Sequence, residues 1–461
     1  MTCGDAGRPG RPGIFHAVEK SFPHRGKIRE KFSTPWKNRL RIFHTVEKTG
    51  NSLPRHGKLF STLWKTAAVA LVSAVAVAEE GKNATMQGLT PILPIERLAM
   101  WCEFMPYAEV EAHLPALAEA GCDLILHVER ESLGDADFAR LLRAAEAAGV
   151  GVDAWLLLPY EEHLYVGQAS VEATRGLARA AADFFGREGL TVRAFVFDCE
   201  PSPLLGRELF AAARAKSPRR LARTLRAQMD AEAFGRDVAE INGLIGELRG
   251  RGYAVDGAAN RAFLDAQARG NVALEDALNA PVSGVEWDAL SFIAYRYQAS
   301  QLSYVALLSR YATLARRLHG GRAAMDVGLI GDYDGIPQNA ERARLFGGGE
   351  AFFGYLRGMR SAQDLEEAVG TVLGCGVRRI NLYALDGAAT SVAGVENWLK
   401  AARRARPRSA FSRWTPARSV QYGLLGALTE SSFRWFTGGS EKSHGDIGFR
   451  GPAAGAGERQ P

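Results

Sequence analysis

At 461 residues the chain has room for one large domain with appendages or two ordinary ones. Its formal charge of +6 is unevenly spread: residues 1–66 hold 14 Lys/Arg against 4 Asp/Glu, residues 403–461 hold 10 against 4, and the stretch 67–402 is left with a net of −10. The basic total therefore says nothing in favour of a nucleic-acid partner for the middle of the chain, and the five cysteines, odd in number and without a Cys-x-x-Cys, indicate neither a disulfide framework nor a zinc finger.

The chain opens on a repeat. Ile14-Phe-His-Ala-Val-Glu-Lys20 returns as Ile42-Phe-His-Thr-Val-Glu-Lys48, and Phe32-Ser-Thr-Pro-Trp-Lys37 as Phe60-Ser-Thr-Leu-Trp-Lys65. Two basic, Pro/Gly-broken units poor in aliphatics cannot stack into a solenoid. Residues 1–85 are expected to be a disordered leader, resembling translated repetitive sequence upstream of a start at Met86, rather than a nucleic-acid arm. The small apolar run Ala67 to Ala78 has the look of a signal-peptide core. A start at Met86 implies a cytoplasmic protein, and a functional signal core implies a secreted or periplasmic one. No stretch is long and apolar enough to read as a membrane-spanning helix. The tail 406–461, with Gly438-Gly439 and a Gly/Ala/Pro-rich end, reads as disordered.

Between these ends, over 86–405, short apolar runs alternate with amphipathic helical stretches. Strands are expected near 98–104, 123–129, 150–158, 192–199, 253–258, 290–297, 325–330 and 378–385. Six follow a helix stop that contains Gly, at Gly121, Gly149, Gly189, Gly252, Gly320 and Gly376. Helices such as Asp135 to Ala148 and Gln301 to Leu318 carry a one-sided apolar stripe. Eight strand-helix units over about 300 residues fit an α/β fold of the (β/α)8 TIM-barrel kind. The rival doubly wound sheet would show a Gly-rich turn after its first strand, where this chain has Met105-Pro106-Tyr107. The stretch from Pro201 to Gly250, with an Arg-rich middle from Lys216 to Arg226, is expected to be an enlarged connection after the fourth strand.

In such a barrel the chemistry lies at the C-terminal strand ends. The residues there are acidic and aromatic: Glu103, Glu129, Tyr160 with Glu161 and Glu162, Asp198 with Glu200, Tyr295 with Tyr297, Asp332 with Asp334, and Asp386. The fourth strand is the most informative, because Phe195-Val-Phe-Asp-Cys-Glu-Pro201 ends in two carboxylates spaced two apart. Period-two alternation turns both to one face. Like charges in a cleft raise each other's pKa and poise a carboxyl group to donate a proton. Trp101 and Trp155 either offer flat faces to sugar rings or fill the barrel.

The ending hydrophobic-Asp-x-Glu on strand four, with a Tyr closing strand six, resembles the family-18 chitinase-type glycoside hydrolases, which are (β/α)8 barrels. The resemblance implies Glu200 as proton donor, Asp198 as the acid that orients the substrate, and Tyr295 as a residue that helps hold it. At the family's earlier aspartate positions this chain has Val196 and Arg193, and Arg296 follows Tyr295. The broader expectation is a glycosidase acting on a carbohydrate substrate, with Glu200 as general acid and Asp198, Asp332 or Asp386 as the second carboxylate. No cofactor and no metal is expected. Two other readings stay open: a divalent-metal barrel enzyme of the sugar isomerase or phosphodiesterase type using the same acids, and a non-catalytic carbohydrate-binding barrel.

Overall fold

A computed structural model describes residues 94–408, except 216, 297–300, 332–357 and 360. Eight strands run in chain order: β1 Arg97–Cys102, β2 Cys122–Val128, β3 Val152–Leu156, β4 Ala194–Cys199, β5 Ala254–Asn260, β6 Ala289–Tyr295, β7 Ala323–Gly328 and β8 Arg379–Tyr383. Each pairs in parallel with the next, and β8 returns to β1 through Ala99↔Asn381 and Trp101↔Tyr383, so the sheet closes into a barrel. This is the (β/α)8 architecture expected from the punctuation, and every strand falls within a few residues of its expected place.

Among the described residues the α-helices are α1 Tyr107–Glu111, α2 Leu114–Ala120, α3 Ala136–Ala147, α4 Val171–Glu188, α5 Pro203–Arg214, α6 Pro218–Gln228, α7 Ala231–Gly250, α8 Ala262–Gln267, α9 Ala273–Ala277, α10 Gln301–His319, α11 Ala362–Gly374 and, after β8, α12 Leu385–Thr390 and α13 Gly394–Arg404. Gly121 and Gly189 end α2 and α4 with φ of 56° and 62°, a left-handed turn that a side chain would strain; β2 begins at once after Gly121, and β4 after the short link Leu190 to Arg193. Asp135 caps α3 by accepting from the Asp137 amide at 2.7 Å. The enlarged connection after β4 consists of α5 and α6, with α7 as the helix that packs back on the barrel.

Alternation along each strand sorts side chains into two cores. Leu98, Met100, Leu124, Leu126, Phe195, Phe197, Phe292, Met325 and Leu382 face outward into the layer shared with the helices. There Phe195 meets Phe185 of α4, with ring centres 5.9 Å apart, and Phe197 meets Trp287 at 6.2 Å. Each such buried ring stabilises the layer by about 1.5–3 kcal/mol. Facing inward, Trp101, Ile125, Trp155, Val196 and Ala258 fill the barrel itself. Cys102, Cys122 and Cys199 are buried and Cys375 is partly so, as small apolar side chains.

The N-terminal end of the barrel is plugged by charge. Arg97 pairs with Asp123 at 2.9 Å and with Asp153, while Arg193 reaches Asp153 at 2.6 Å and Asp256 at 3.6 Å. Asp153 is fully buried, and the two guanidinium groups are its partners there. Above the plug lies a cavity of about 10 Å³, room for one water, lined in part by Trp101, Val196, Ser291 and Asn381. The leader 1–85 and most of the tail lie outside the described residues. Chain order continues just past 405, where the Arg408 amide donates to the Gly370 carbonyl at 2.9 Å.

Candidate active site

The expected acid pair emerges where the barrel opens at its C-terminal end. Val196 belongs to the interior cluster and Phe195, Phe197 and Cys199 to the outer one, so the alternation turns Asp198 inward. The strand end is held from both sides: Asp198 pairs with Ala258 in register, and its carbonyl accepts from the Val166 amide at 3.1 Å. The Asp198 side chain is only 6 % exposed, and its Oδ1 has no hydrogen-bond partner among the described residues. Burial above all, then Glu200 and Asp326, raise its pKa well above the usual carboxylate range.

Glu200, one residue beyond β4, is half-buried. Burial pushes its pKa up to about 7, against a hydrogen bond from Asn260 and the nearby Arg261 charge, both of which favour the ionised form. Neither Asn260 nor Arg261 was among the expected site residues. Strand five was expected to end at 258, whereas β5 continues through Ala259 to Asn260, and small residues gave little warning of that extension.

Asp326 was also missed. It sits inside the apolar run of β7 rather than at its end, where a lone acid carries no sequence signal of chemistry. Fully buried, it accepts from Asn381 Nδ2 at 2.7 Å, Ser291 Oγ at 2.8 Å and Trp101 Nε1 at 3.3 Å. Burial still pushes its pKa up to about 6, against those three donors. The acid beneath the pair thus comes from β7, while the β4 positions at which the resembled family carries aspartates hold Val196 in the interior and Arg193 in the basal plug.

Across the mouth, Tyr295 closes β6 with its ring 4.6 Å from that of Tyr383. The Tyr383 hydroxyl donates to Glu103, which is buried at the end of β1. Tyr383 was inside an expected strand but had no assigned role. His127 links the next positions: its Nδ1 lies 3.1 Å from the Glu103 carbonyl and its Nε2 2.9 Å from Glu129, whose pKa is lowered by that contact. Asp198, Glu200, Tyr295, Glu103 and Glu129 therefore all occupy the C-terminal end of the barrel.

Other expected site residues are placed differently. Trp101 and Trp155 are each 2 % exposed and meet edge to face at 4.9 Å, so they fill the barrel and present no free face to a sugar. The Asp386 carboxylate accepts from the Glu103, Phe104 and Met105 amides at 3.0, 2.7 and 2.7 Å. It is a staple on the loop after β1, and its oxygens are already engaged. Tyr160 is half-buried in the one-turn helix Tyr160–Glu162 after β3. Tyr297, Asp332 and Asp334 lie outside the described residues. Among the described residues no three His, Cys, Asp or Glu side chains are grouped to hold a metal ion, and no helix is long and apolar enough to cross a membrane.

No protein-family model matches the chain, and no curated protein does. Solved structures similar to it include the catalytic domain of a beta-amylase from Paenibacillus polymyxa, 10 % identical, with 69 % of this chain and 100 % of that one covered and a TM-score of 0.36. A chitinase from Chromobacterium violaceum is 10 % identical over 67 % of this chain and 98 % of that one, with a TM-score of 0.38. A D-allulose 3-epimerase from Methylomonas sp. is 11 % identical over 72 % and 100 %, with a TM-score of 0.34. Likeness at this level carries no argument about activity, and the fold assignment rests on the strand register itself.

Proposed function

We propose that this barrel is a glycoside hydrolase in which Glu200 protonates the departing glycosidic oxygen and Asp198 is the partner acid. The observation that carries the reading is the acid pair: two carboxyl groups brought together at the C-terminal mouth, one with its pKa near neutrality and the other buried with an unpaired oxygen. A proton donor must hold its proton at working pH and release it to the leaving group, which favours a pKa close to that pH. Asp198, on the same face of the strand end, is set to hydrogen-bond the substrate; water adds to the anomeric carbon as the C–O bond breaks, and the proton it loses restores Glu200. Tyr295 and its partner Tyr383 supply the aromatic wall on the far side, where a sugar ring can lie against an apolar face.

The test is hydrolysis of a panel of neutral, amino and acidic glycans by the full chain and by Glu200→Gln. Cleavage of at least one glycan, lost in the variant by about two orders of magnitude or more, is the expected result. A variant that cleaves as fast as the parent, or a parent that binds glycans and cleaves none, refutes the hydrolase and leaves a binding barrel.

A further inference from the structure

The enlarged connection after β4 carries a feature that acid/base chemistry does not use. Residues 209–229 contain six Lys/Arg and no Asp or Glu, inside a stretch, 67–402, whose net charge is −10. Within it, α6 presents Arg219, Arg220, Arg223 and Arg226 to solvent. Positions 219, 223 and 226 follow the i, i+4, i+7 rule and form one stripe, about 10 Å long at 1.5 Å rise per residue. The adjoining side is occupied: Ala222 is buried, and Leu225 and Met229 pack on Ala273 and Ala277 of α9.

Arginines on α4 and at the end of α7 behave otherwise. Arg175 pairs with Glu172 and Glu240, Arg179 with Glu247, and Arg251 with Asp183. The four arginines of α6 have no acidic partner among the described residues. Four like charges in two turns repel one another, a cost that an anionic ligand would remove.

Contacts tie the C-terminal end of this helix to the loops around the acid pair. Its last residue, Gln228, accepts from Asn279 Nδ2 at 2.9 Å, and the Asp230 amide donates to Asp276 at 3.0 Å. Gln168 donates to the same Asp276 oxygen at 3.0 Å, and Val166, two residues earlier, is the residue bonded to the Asp198 carbonyl. A short chain of contacts therefore runs from the end of α6 to the acid pair.

We propose that the arginine face of α6 binds a polysaccharide bearing carboxylate groups and feeds it to the mouth. Calling that polysaccharide the substrate rests on the hydrolase reading; the binding itself does not. Arginine, used here to the exclusion of lysine within α6, matches a planar carboxylate with two parallel donors. A bilayer fits less well, because the apolar side of α6 is packed and cannot insert. Nucleic acid fits less well too, since Ser217 to Gln228 contains no aromatic residue on which a base could stack.

The probes are polygalacturonate, alginate and hyaluronate, with methyl-esterified polygalacturonate as the neutral counterpart, titrated into the full chain carrying Glu200→Gln so that binding is read without turnover. At least one polyuronate is expected to bind, more weakly as salt rises from about 50 to 200 mM. Replacing all four arginines by Gln should weaken it about thirtyfold, four exposed contacts each worth a factor of two to three, and flatten the salt dependence. Replacement by Lys should fall between. Single Arg223→Gln, expected at about twofold to threefold, keeps the test open if the quadruple variant does not fold. No binding to any polyuronate, binding indifferent to the arginines, or tighter binding to single-stranded DNA or to equimolar phosphatidylcholine–phosphatidylglycerol vesicles overturns the proposal. Binding without cleavage by the unsubstituted chain would sink the hydrolase and spare this site. Cleavage of neutral glycans alone, with no polyuronate bound, would do the reverse.

Discussion

Replacing Asn260 by Ser should move the alkaline limb of activity to higher pH. Asn260 donates to the Glu200 carboxylate and so favours its ionised form, while burial favours the neutral one; their balance, with Arg261, leaves the group at about 7. At pH 6 such a group is about nine-tenths protonated, whereas at the ordinary 4.5 it would be only about 3 % so, a gain of roughly thirtyfold in competent donor. A hydrogen bond to a charged acceptor is worth about 1.5–3 kcal/mol, and one pKa unit about 1.4 kcal/mol, so losing it raises Glu200 by about one unit or somewhat more. Serine is the useful replacement. Its hydroxyl still accepts from the Ala262 amide, which Asn260 Oδ1 now does at 3.0 Å, but it is too short to reach Glu200. The measurement is the pH dependence of kcat/KM on whichever glycan is cleaved, beside a ¹³C titration of the Glu δ-carboxyls that needs no turnover. An alkaline limb and a ¹³C titration that both stay put or move to lower pH would refute the account of how Glu200 is tuned.

Three further outcomes follow from the same interactions. Glu200→Gln should stabilise the fold at pH 8: the unfolded chain ionises above about 4.5 and the folded one resists until about 7, so wild type loses up to about 3 kcal/mol across that window. Thermal melts should show a clear gain for the variant at pH 8 and almost none at pH 4, and equal gains at both would contradict the sign. Arg97→Met should cost about 3 kcal/mol in urea denaturation, because Asp153 would keep only Arg193 in a fully buried position; a loss below about 1 kcal/mol would mean that the basal plug holds little. Asp386→Ala should release the amides of Glu103, Phe104 and Met105, costing about 3 kcal/mol and speeding their hydrogen exchange, and unchanged exchange would deny the staple.

Much of the architecture was readable before any coordinates, for local reasons. Helix stops at Gly121 and Gly189 need a left-handed residue, and the apolar runs that follow are too short for anything but strands. The inward turn of Asp198 needed only the two-residue period of β structure. What misled was the treatment of every strand end as a site. Asp386 stands at such an end, yet three amides of the loop after β1 occupy it, a contact across 283 residues of sequence for Glu103 that no local pattern signals. Trp101 and Trp155 occupy strand positions suited to a sugar platform, and closure of the barrel seals them inside.

The sequence by itself determined the alternation of strand and helix, the eightfold count and the inward turn of Asp198 on β4, because these depend on neighbours a few residues away. Only the tertiary structure decided which groups surround those acids. Asp326 on β7 and Asn260 on β5 lie 126 and 60 residues from Glu200 along the chain, and the protonation state of a carboxyl group is set by burial and by charges a few ångströms away, not by what stands beside it in sequence.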